Sequence, residues 1–139
     1  MASRIPQAPE AEAAVLGAVL LRNSAFDDDG VSELQPDDFH IPRHRVVWAA
    51  MRTLLMGGHP IDVITLEEQL RVQDELSLVG GLEGLTAMSD RVFVAHNVTN
   101  HAHLVAATAR ARRAHAVMGE AQHRLETLDV SELDDFLAE

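Results

Sequence analysis

The sequence predicts an all-α protein with a compact helical head and a C-terminal helical hairpin. Apolar residues recur at helical spacing along nearly the whole chain, and no alternating pattern of useful strand length occurs. Strong turn signals such as Gly57-Gly58-His59-Pro60 separate these stretches. The chain has 139 residues, of which 47% are hydrophobic, so it is long enough to bury a core as one domain.

The first helix is predicted over Pro9 to Leu21. Pro9 suits the first helical position, and the following glutamates favour the positive end of the helix dipole. Its apolar stripe consists of Val15, Leu16, Val19 and Leu20. Asn23 and Ser24 break this pattern and are suited to cap a short helix that carries Phe26.

The segment from Pro36 to Pro42 is predicted to be a loop with Phe39 and Ile41 directed inward. A helix follows from Pro42 and ends at the glycines before Pro60. Its inward side carries Val47, Met51, Leu54 and Leu55, flanked by Trp48.

A capping box predicts the next helix, with Thr65 as the N-cap and Glu68 three residues later. Gly80-Gly81 is predicted to be a turn, followed by a short helix through Met88. Because these helices share the 3.6-residue period, we expect one core in the head. Its predicted members are Val15, Leu16, Val19, Trp48, Met51, Leu55, Leu66, Leu70, Leu82 and Leu85.

The last third is predicted to be a hairpin. Residues 95–125 contain neither proline nor a turn cluster, which indicates one long helix, and a final segment capped by Ser131 returns along it. The long helix is also predicted to carry a second, milder stripe, which consists of Leu104, Thr108, Ala111, His115 and Met118. The expected organisation is an arm (1–8), the head (9–92), and the hairpin with the start of a linker (93–139). The coiled-coil-like spacing of four, three and four residues predicts a self-association seam along Val98, Ala102, Val105 and Ala109. Met118 on the other side of the long helix, and Leu133 and Phe136 on the short final segment, complete the predicted self-association surface.

Composition excludes several chemistries. The net charge is -11, and all 11 basic residues are arginine, so no lysine nucleophile and no P-loop lysine exist. Cysteine is absent, which excludes a disulfide framework. We therefore expect no enzymatic activity and no cofactor in this chain. We also expect no tight DNA binding, because the negative charge opposes counterion release. The sequence has neither a membrane span nor the apolar core of a signal peptide.

Three polar clusters remain as candidates. His40 and His44, and the histidines at 96, 101 and 103, lack a metalloprotease-type motif, and surface histidines are the commoner interpretation. Acidic runs such as 27–29 are typical of solvated faces or caps. Arg110, Arg112 and Arg113 form the one basic cluster, which is suited either to polar partner contacts or to ion pairs along a solvated helix face.

The order of several motifs resembles the N-terminal domain of the DnaB-type replicative DNA helicase family. Each motif alone is weakly specific, but together they follow the family order over residues 5–139. They are PEAEAAVLGA (9–18), PDDF (36–39) followed by His44, GHPIDVITL (58–66), EL with VGGL (75–82) and Leu85, AHNV (95–98), and residues 130–139 as the start of a linker-side helix.

The resemblance implies a function in DNA replication. In the family, hairpins pair the heads into dimers, and three dimers form a collar on a hexameric ring in the bacterial cytoplasm. That collar docks the C-terminal domain of primase, and a helicase loader is a further partner. ATP and Mg²⁺ belong to a C-terminal motor domain that this sequence does not contain. The family aromatics are replaced by Gly84, Asn100 and His101, which bears on primase docking more than on the fold.

Three hypotheses follow. The first is the assembly and primase-docking domain of a replicative helicase. The second is a stand-alone protein of this type that regulates a helicase by occupying its collar or its primase site. The third is a small all-α enzyme that uses clustered acids or histidines. A downstream reading frame with a Walker A loop separates the first two, and metal analysis with a hydrolase screen addresses the third.

Overall fold

Helices account for all the regular secondary structure in the described part of the chain. The computed structural model describes residues 4–90, 97–128, 132, 137 and 138. Over these residues the all-α prediction is confirmed. The helices are α1 (Pro9–Leu21), α2 (Pro42–Met56), α3 (Val63–Val72), α4 (Gly81–Asp90) and α5 (Val98–Thr127), with short 3-10 helices at Asn23–Asp27, Pro36–Asp38 and Leu76–Val79.

Helix α1 is the central element of the head. It contacts α2 and α4 on the head side and is also the main packing partner of α5. Val15, Leu16 and Val19 are fully buried, and Ala11 and Ala18 are nearly so. A helix that is apolar around most of its circumference is typical of such a central position.

The boundaries of α1 and α2 agree with the sequence prediction because proline defines both starts. Pro9 and Pro42 each lie in the first helical turn, where a missing backbone N–H is tolerated. Asn23, predicted as a cap, has a different role. Its side-chain amide donates to the carbonyls of Val19 and Ile61 and accepts from the Ile61 N–H. It thereby joins the end of α1 to the segment before α3.

Trp48 was expected to flank the apolar stripe of α2, but it is fully buried at the centre of the aromatic part of the core. Its ring lies 5.6 Å from that of Phe26 and 5.3 Å from that of Phe39, measured between centroids. Its indole N–H donates to the carbonyl oxygen of Leu34 at 2.9 Å. A buried Trp needs such a partner, so the 31–39 segment is held against α2 by packing and by this hydrogen bond.

The predicted N-cap of α3 is wrong. Asp62, not Thr65, is the N-cap, and the helix begins at Val63. The Asp62 carboxylate accepts from the Thr65 N–H at 2.8 Å, and the Thr65 hydroxyl accepts from the Asp62 N–H at 2.9 Å. Both residues favour an N-cap, but the reciprocal bonds are made one turn earlier than the Thr65–Glu68 pattern suggested.

Nine of the ten predicted core residues are inside the head. Leu55 is partly buried and packs against the core, and eight others are buried. Leu82 is the exception, since 46% of it is exposed. It lies in the first turn of α4, off the face that Leu85 and Met88 share. Before it, the turn at Gly80 and Gly81 has positive φ at both residues, as glycine permits.

Candidate docking surface on the long helix

Helix α5 buries one apolar stripe against the head. Val98, Ala102, Val105 and Ala109 are at most 1% exposed, and α5 packs mainly on α1. These four residues were predicted to trace a seam between copies of the chain. The structure corrects that assignment, because side chains already covered by their own chain present no free surface. Sequence spacing identified the stripe but not the surface that it covers.

A second apolar stripe runs along the opposite side of α5 and is open to solvent. Its residues alternate in steps of three and four, which is the spacing of a coiled-coil seam. At about 100° per residue this stripe lies roughly half a turn around the helix from the buried one. Its members, called the exposed stripe below, are Leu104, Ala107, Ala111, Ala114, Met118, Ala121, Leu125 and the C-cap residue Leu128. Ala121 and Leu128 are half-buried, and the other six residues are exposed.

Beyond residue 113, α5 has no buried residue. Residues 114–127, called the free half below, continue the helix for about 21 Å at a rise of about 1.5 Å per residue. Met118 and Val117 are 70% and 68% exposed. A long helix with such side chains in water gains little from its own burial, so the free half is suited to pack against another helix.

The basic cluster is largely used within the chain. Arg112 donates to the carbonyl oxygens of Pro6 at 3.2 Å and Asp38 at 2.9 Å. Arg113 forms an ion pair with the Asp38 carboxylate. We call Arg112, Arg113, Asp38 and the Pro6 carbonyl the clamp. Arg110 is exposed and has no partner among the described residues, so it alone retains the predicted freedom to contact a partner.

A buried carboxylate supports the segment from which Asp38 projects. Glu12 of α1 is fully buried and accepts from the backbone N–H groups of His40 at 2.7 Å and Ile41 at 3.2 Å. It also accepts from Nδ1 of His44, in the first turn of α2, at 2.9 Å. Glu12 therefore neutralises an N-terminus of α2 that has no side-chain cap of its own.

The hydrogen bonds determine the protonation state of Glu12. Burial is the largest single influence and would by itself raise the pKa of this carboxyl. The bonds from His44, His40 and Ile41, together with the charge of His44, outweigh burial and lower the pKa below its ordinary value. Since an ionised carboxylate only accepts, Nδ1 of His44 carries the hydrogen. Sequence reasoning placed Glu12 in the first turn of α1 but missed this pair.

The remaining predicted residues occupy different surroundings. Leu133 and Phe136 lie outside the described residues. Asn100 is exposed and His101 is half-buried in the first turns of α5. At Gly84 a Cβ atom would lie 1.9 Å from the carbonyl oxygen of Val79. The aromatic residue that the family resemblance suggests there would therefore require the Val79 backbone to move.

One depression in the described surface lies beside the buried Glu12–His44 pair. A depression of about 300 Å³ over the start of α2 is lined by Pro9, Glu10, Ala13, Ala14, Ile41, Arg43 and His44, with no hydroxyl, thiol or amine nucleophile among them. No group of three or more histidine and acidic residues in the described ranges could hold a metal ion. No described helix is long and apolar enough to span a membrane.

Comparison with known proteins identifies the family. Residues 4–107 match the family model described as "DnaB-like helicase N terminal domain". The chain belongs to this family. It is 39% identical over 103 residues to the replicative DNA helicase DnaB of Leifsonia xyli subsp. xyli, and 41% identical over 101 residues to the replicative DNA helicase DnaC of Bacillus subtilis. These matches cover 74% and 72% of this chain but 22% of each relative. The chain thus spans about a fifth of the length of these relatives.

Solved structures of the family share the whole described fold. The N-terminal domain of DnaB helicase from Mycobacterium tuberculosis matches with a TM-score of 0.85 and 30% identity, covering 97% of this chain and 96% of that one. A DnaB-like replicative helicase, studied with its primase interactions, matches with a TM-score of 0.70 over 93% of this chain and 30% of its own. Because the identity there is 22%, this second match supports the fold alone.

Proposed function

We propose that this chain is the N-terminal assembly and primase-docking domain of a bacterial replicative DNA helicase. In this proposal it acts in the cytoplasm, pairs with itself, and contributes three such pairs to the collar of a hexamer. ATP hydrolysis and Mg²⁺ binding belong to a separate motor domain. Primase and a helicase loader are the proposed partners, whereas DNA and membranes are not.

The observation that carries the proposal is the exposed stripe of α5. A solvated helix requires no apolar seam, yet this stripe continues from Leu104 to Leu128 in coiled-coil spacing. Pairing two such stripes would bury side chains that are otherwise in water, at roughly 25 cal/mol per Å² of apolar surface. Alanine at four of the eight positions would let two helix backbones approach closely.

Primase docking is supported by similarity rather than by contacts within this chain. The structural relative described with its primase interactions shares the helical fold, and the matched family model covers residues 4–107. Gly84, Asn100 and His101 replace aromatic residues that the family resemblance suggests. We therefore expect weaker primase binding than a family member with those aromatics would show.

Light scattering coupled to size-exclusion chromatography tests both parts. The chain is run alone at several concentrations, and then with the C-terminal domain of primase. A dimer or a larger even assembly supports the assembly function, and a mixed peak supports docking. A chain that stays monomeric at the highest concentration and forms no mixed peak contradicts the proposal.

The stand-alone regulator remains the second candidate, and the same instrument distinguishes it. The chain would be added to an intact DnaB-type helicase hexamer. A regulator would enter the hexamer or displace bound primase, and so change the mass of the hexamer peak or release primase. A domain that only assembles with copies of itself would change neither.

A further inference from the structure

A groove lies on the head where α1 and α2 both end. Its five lining residues either follow the end of α1 or belong to the last turn of α2. They are Asn23, Phe26, Asp27, Leu55 and Met56. The groove has a volume of about 180 Å³, whereas small-molecule sites typically enclose roughly 300–1,000 Å³. It is therefore suited to a side chain of a partner protein rather than to a free metabolite.

One wall of the groove is held in place by contacts within the head. The ring of Phe26 lies 5.6 Å from that of Trp48, measured between centroids. The Asn23 side chain makes three hydrogen bonds to the backbone of Val19 and Ile61. A wall that is already ordered loses little conformational freedom when a partner binds, and this favours association.

The other wall is an accessible and adaptable side chain. Met56, the last residue of α2, is 78% exposed, whereas Leu55 beside it is half-buried and packs against the core. An unbranched methionine can change rotamer to fit the shape of an apolar side chain, and methionine is common on surfaces that bind varied partners. Covering Met56 would remove apolar surface from water, which is favourable.

The groove also carries a carboxylate without an ion-pair partner. Asp27 lines the groove, is exposed, and has no partner among the described residues. The two acidic residues that follow it are both engaged elsewhere. Asp28 pairs with Arg22 at 2.7 Å. The Asp29 carboxylate lies 3.4 Å from the ring of His103. Asp27 is therefore the member of this acidic run that is available to a partner.

Two helix ends add to the negative potential of the groove. The C-terminus of an α-helix carries a partial negative charge, equivalent to about half an elementary charge. Helices α1 and α2 both end here, and neither has a basic residue in its last turn. Arg22, which follows α1, donates to Asp28 and Ser24 instead. None of the described residues that line the groove is basic, so the groove combines apolar walls with an attraction for a cation.

We propose that this groove docks a basic segment of a partner protein, in which a large apolar side chain stands next to lysine or arginine. The apolar side chain packs between Phe26 and Met56, and the cation lies at the Asp27 carboxylate. None of the five lining residues belongs to α5, so this docking site is separate from the exposed stripe and does not rest on the proposed function.

Methyl NMR spectra of the chain labelled at methionine test the proposal. The chain has five methionines, so the spectrum is simple. Met56 reports the groove, whereas Met51 and Met88 are buried and report the integrity of the fold. Met118 on α5 is exposed and reports non-specific binding. The variant Met56→Leu assigns the groove signal by its loss. The probe is the acetylated and amidated tripeptide Lys-Leu-Lys, and the matched peptides are Glu-Leu-Glu and Lys-Ser-Lys.

We expect Lys-Leu-Lys to shift the Met56 signal until it saturates, while the Met118 signal stays in place. Glu-Leu-Glu and Lys-Ser-Lys should bind several-fold more weakly, because one lacks the cation and the other the apolar side chain. Asp27→Asn should raise the dissociation constant for Lys-Leu-Lys by about two- to fivefold, as expected for one exposed ion pair. Asp37→Asn removes the same charge from an exposed residue that does not line the groove, and it should leave that constant unchanged.

A Met56 signal that stays in place throughout the Lys-Leu-Lys titration would overturn the inference. Equal binding of either matched peptide would also overturn it, since the groove would then not select a cation beside an apolar side chain. Equal weakening by Asp27→Asn and Asp37→Asn would attribute the attraction to the overall charge of the chain. A Met56 signal that moves on concentration without peptide would show that a second copy covers the groove. Unchanged signals of Met51 and Met88 confirm that each variant is folded.

Discussion

The carboxylate of Glu12 and the imidazole of His44 lie 2.9 Å apart, and both side chains are buried. This pair joins α1 to the first turn of α2, and the same carboxylate receives two backbone N–H groups from residues 40 and 41. A single side chain therefore fixes how the loop between the helices enters α2. The loop in turn carries Phe39 into the core and Asp38 to the clamp.

Acid should destabilise the head through Glu12. Its pKa in the folded chain is lowered, so its stabilising contribution is complete above its ordinary pKa of 4.5 and is lost as the pH falls through the folded value. Glu12→Gln should remove about 3–5 kcal/mol near neutral pH, because a buried partner is lost, and should weaken the dependence on pH below 4.5. Urea unfolding across a pH series measures both. Glu10→Gln, exposed in the same helical turn, is the control; an equal loss in both variants would contradict the assignment.

Truncation of a side chain in α3 should lower the free energy of unfolding only on the face of the helix that packs into the core. Leu66 is fully buried, whereas Ile64, two residues earlier, is 75% exposed. Leu66→Ala should lower the free energy of unfolding by about 2–5 kcal/mol, as large-to-small core substitutions do. Ile64→Ala should stay within about 0.5 kcal/mol of the parent, as surface changes usually do. Denaturant titration compares the two, and similar losses would show that α3 is not seated as described.

Two helical glycines should respond to alanine with opposite signs. At Gly84 the new methyl group would meet the Val79 carbonyl oxygen at 1.9 Å, so Gly84→Ala should destabilise by about 1–3 kcal/mol. At Gly119 nothing lies within 4 Å, and an exposed helix interior favours alanine. Gly119→Ala should therefore raise helix stability by about 0.5–1 kcal/mol. Thermal melts give both signs, and a stabilising Gly84→Ala would refute the close contact.

Charge on the exposed stripe should disrupt self-association. Met118→Glu or Leu125→Glu would bury an unpaired carboxylate in a paired helix interface, which costs about 3–5 kcal/mol. We expect the dissociation constant to rise by two orders of magnitude or more, since about 1.4 kcal/mol corresponds to tenfold. Sedimentation equilibrium measures the change. Ala116→Glu, exposed on the same half of α5 but off the stripe, is the matched control and should leave the parent mass unchanged.

The chain alone should neither hydrolyse ATP nor bind DNA tightly. It has no lysine and no glycine-rich phosphate loop, and its net charge of -11 opposes contact with phosphates. A colorimetric phosphate assay and fluorescence anisotropy with labelled single strands at physiological salt test these expectations. An ATPase rate that persists through stringent purification, or salt-sensitive tight binding, would contradict them.

Sequence alone predicted the elements whose ends are chemically marked. Pro9 and Pro42 mark helix starts, and the glycines after Met56 mark an end, because each residue restricts or frees the backbone locally. The Thr65–Glu68 spacing predicted the N-cap of α3 at Thr65. Asp62 is an equally suitable cap by residue type, and only the folded chain shows which reciprocal bonds form. A local sequence pattern therefore predicts a helix boundary reliably only where a single residue in the segment is suited to that position.

The docking surface was harder to predict because it depends on which face is already occupied. The steps of four, three and four from Val98 to Ala109 are as regular as those of the exposed stripe, so spacing could not separate core from surface. Glu12 was missed for a related reason. A glutamate in a first turn is ordinarily exposed at the helix dipole, and its burial follows from His44, which lies 32 residues further along the chain.

The fluorescence of Trp48 allows unfolding of the core of the head to be followed separately from unfolding of the free half of α5. Trp48 is the only tryptophan in the chain, and it is enclosed by Phe26 and Phe39 far in sequence from the free half of α5. Its emission should therefore report melting of the aromatic core, whereas far-ultraviolet circular dichroism counts the helical residues of both parts. Dichroism that decreases at a lower temperature than the tryptophan emission changes would measure fraying of the free half directly, and added partner would then raise the first transition alone.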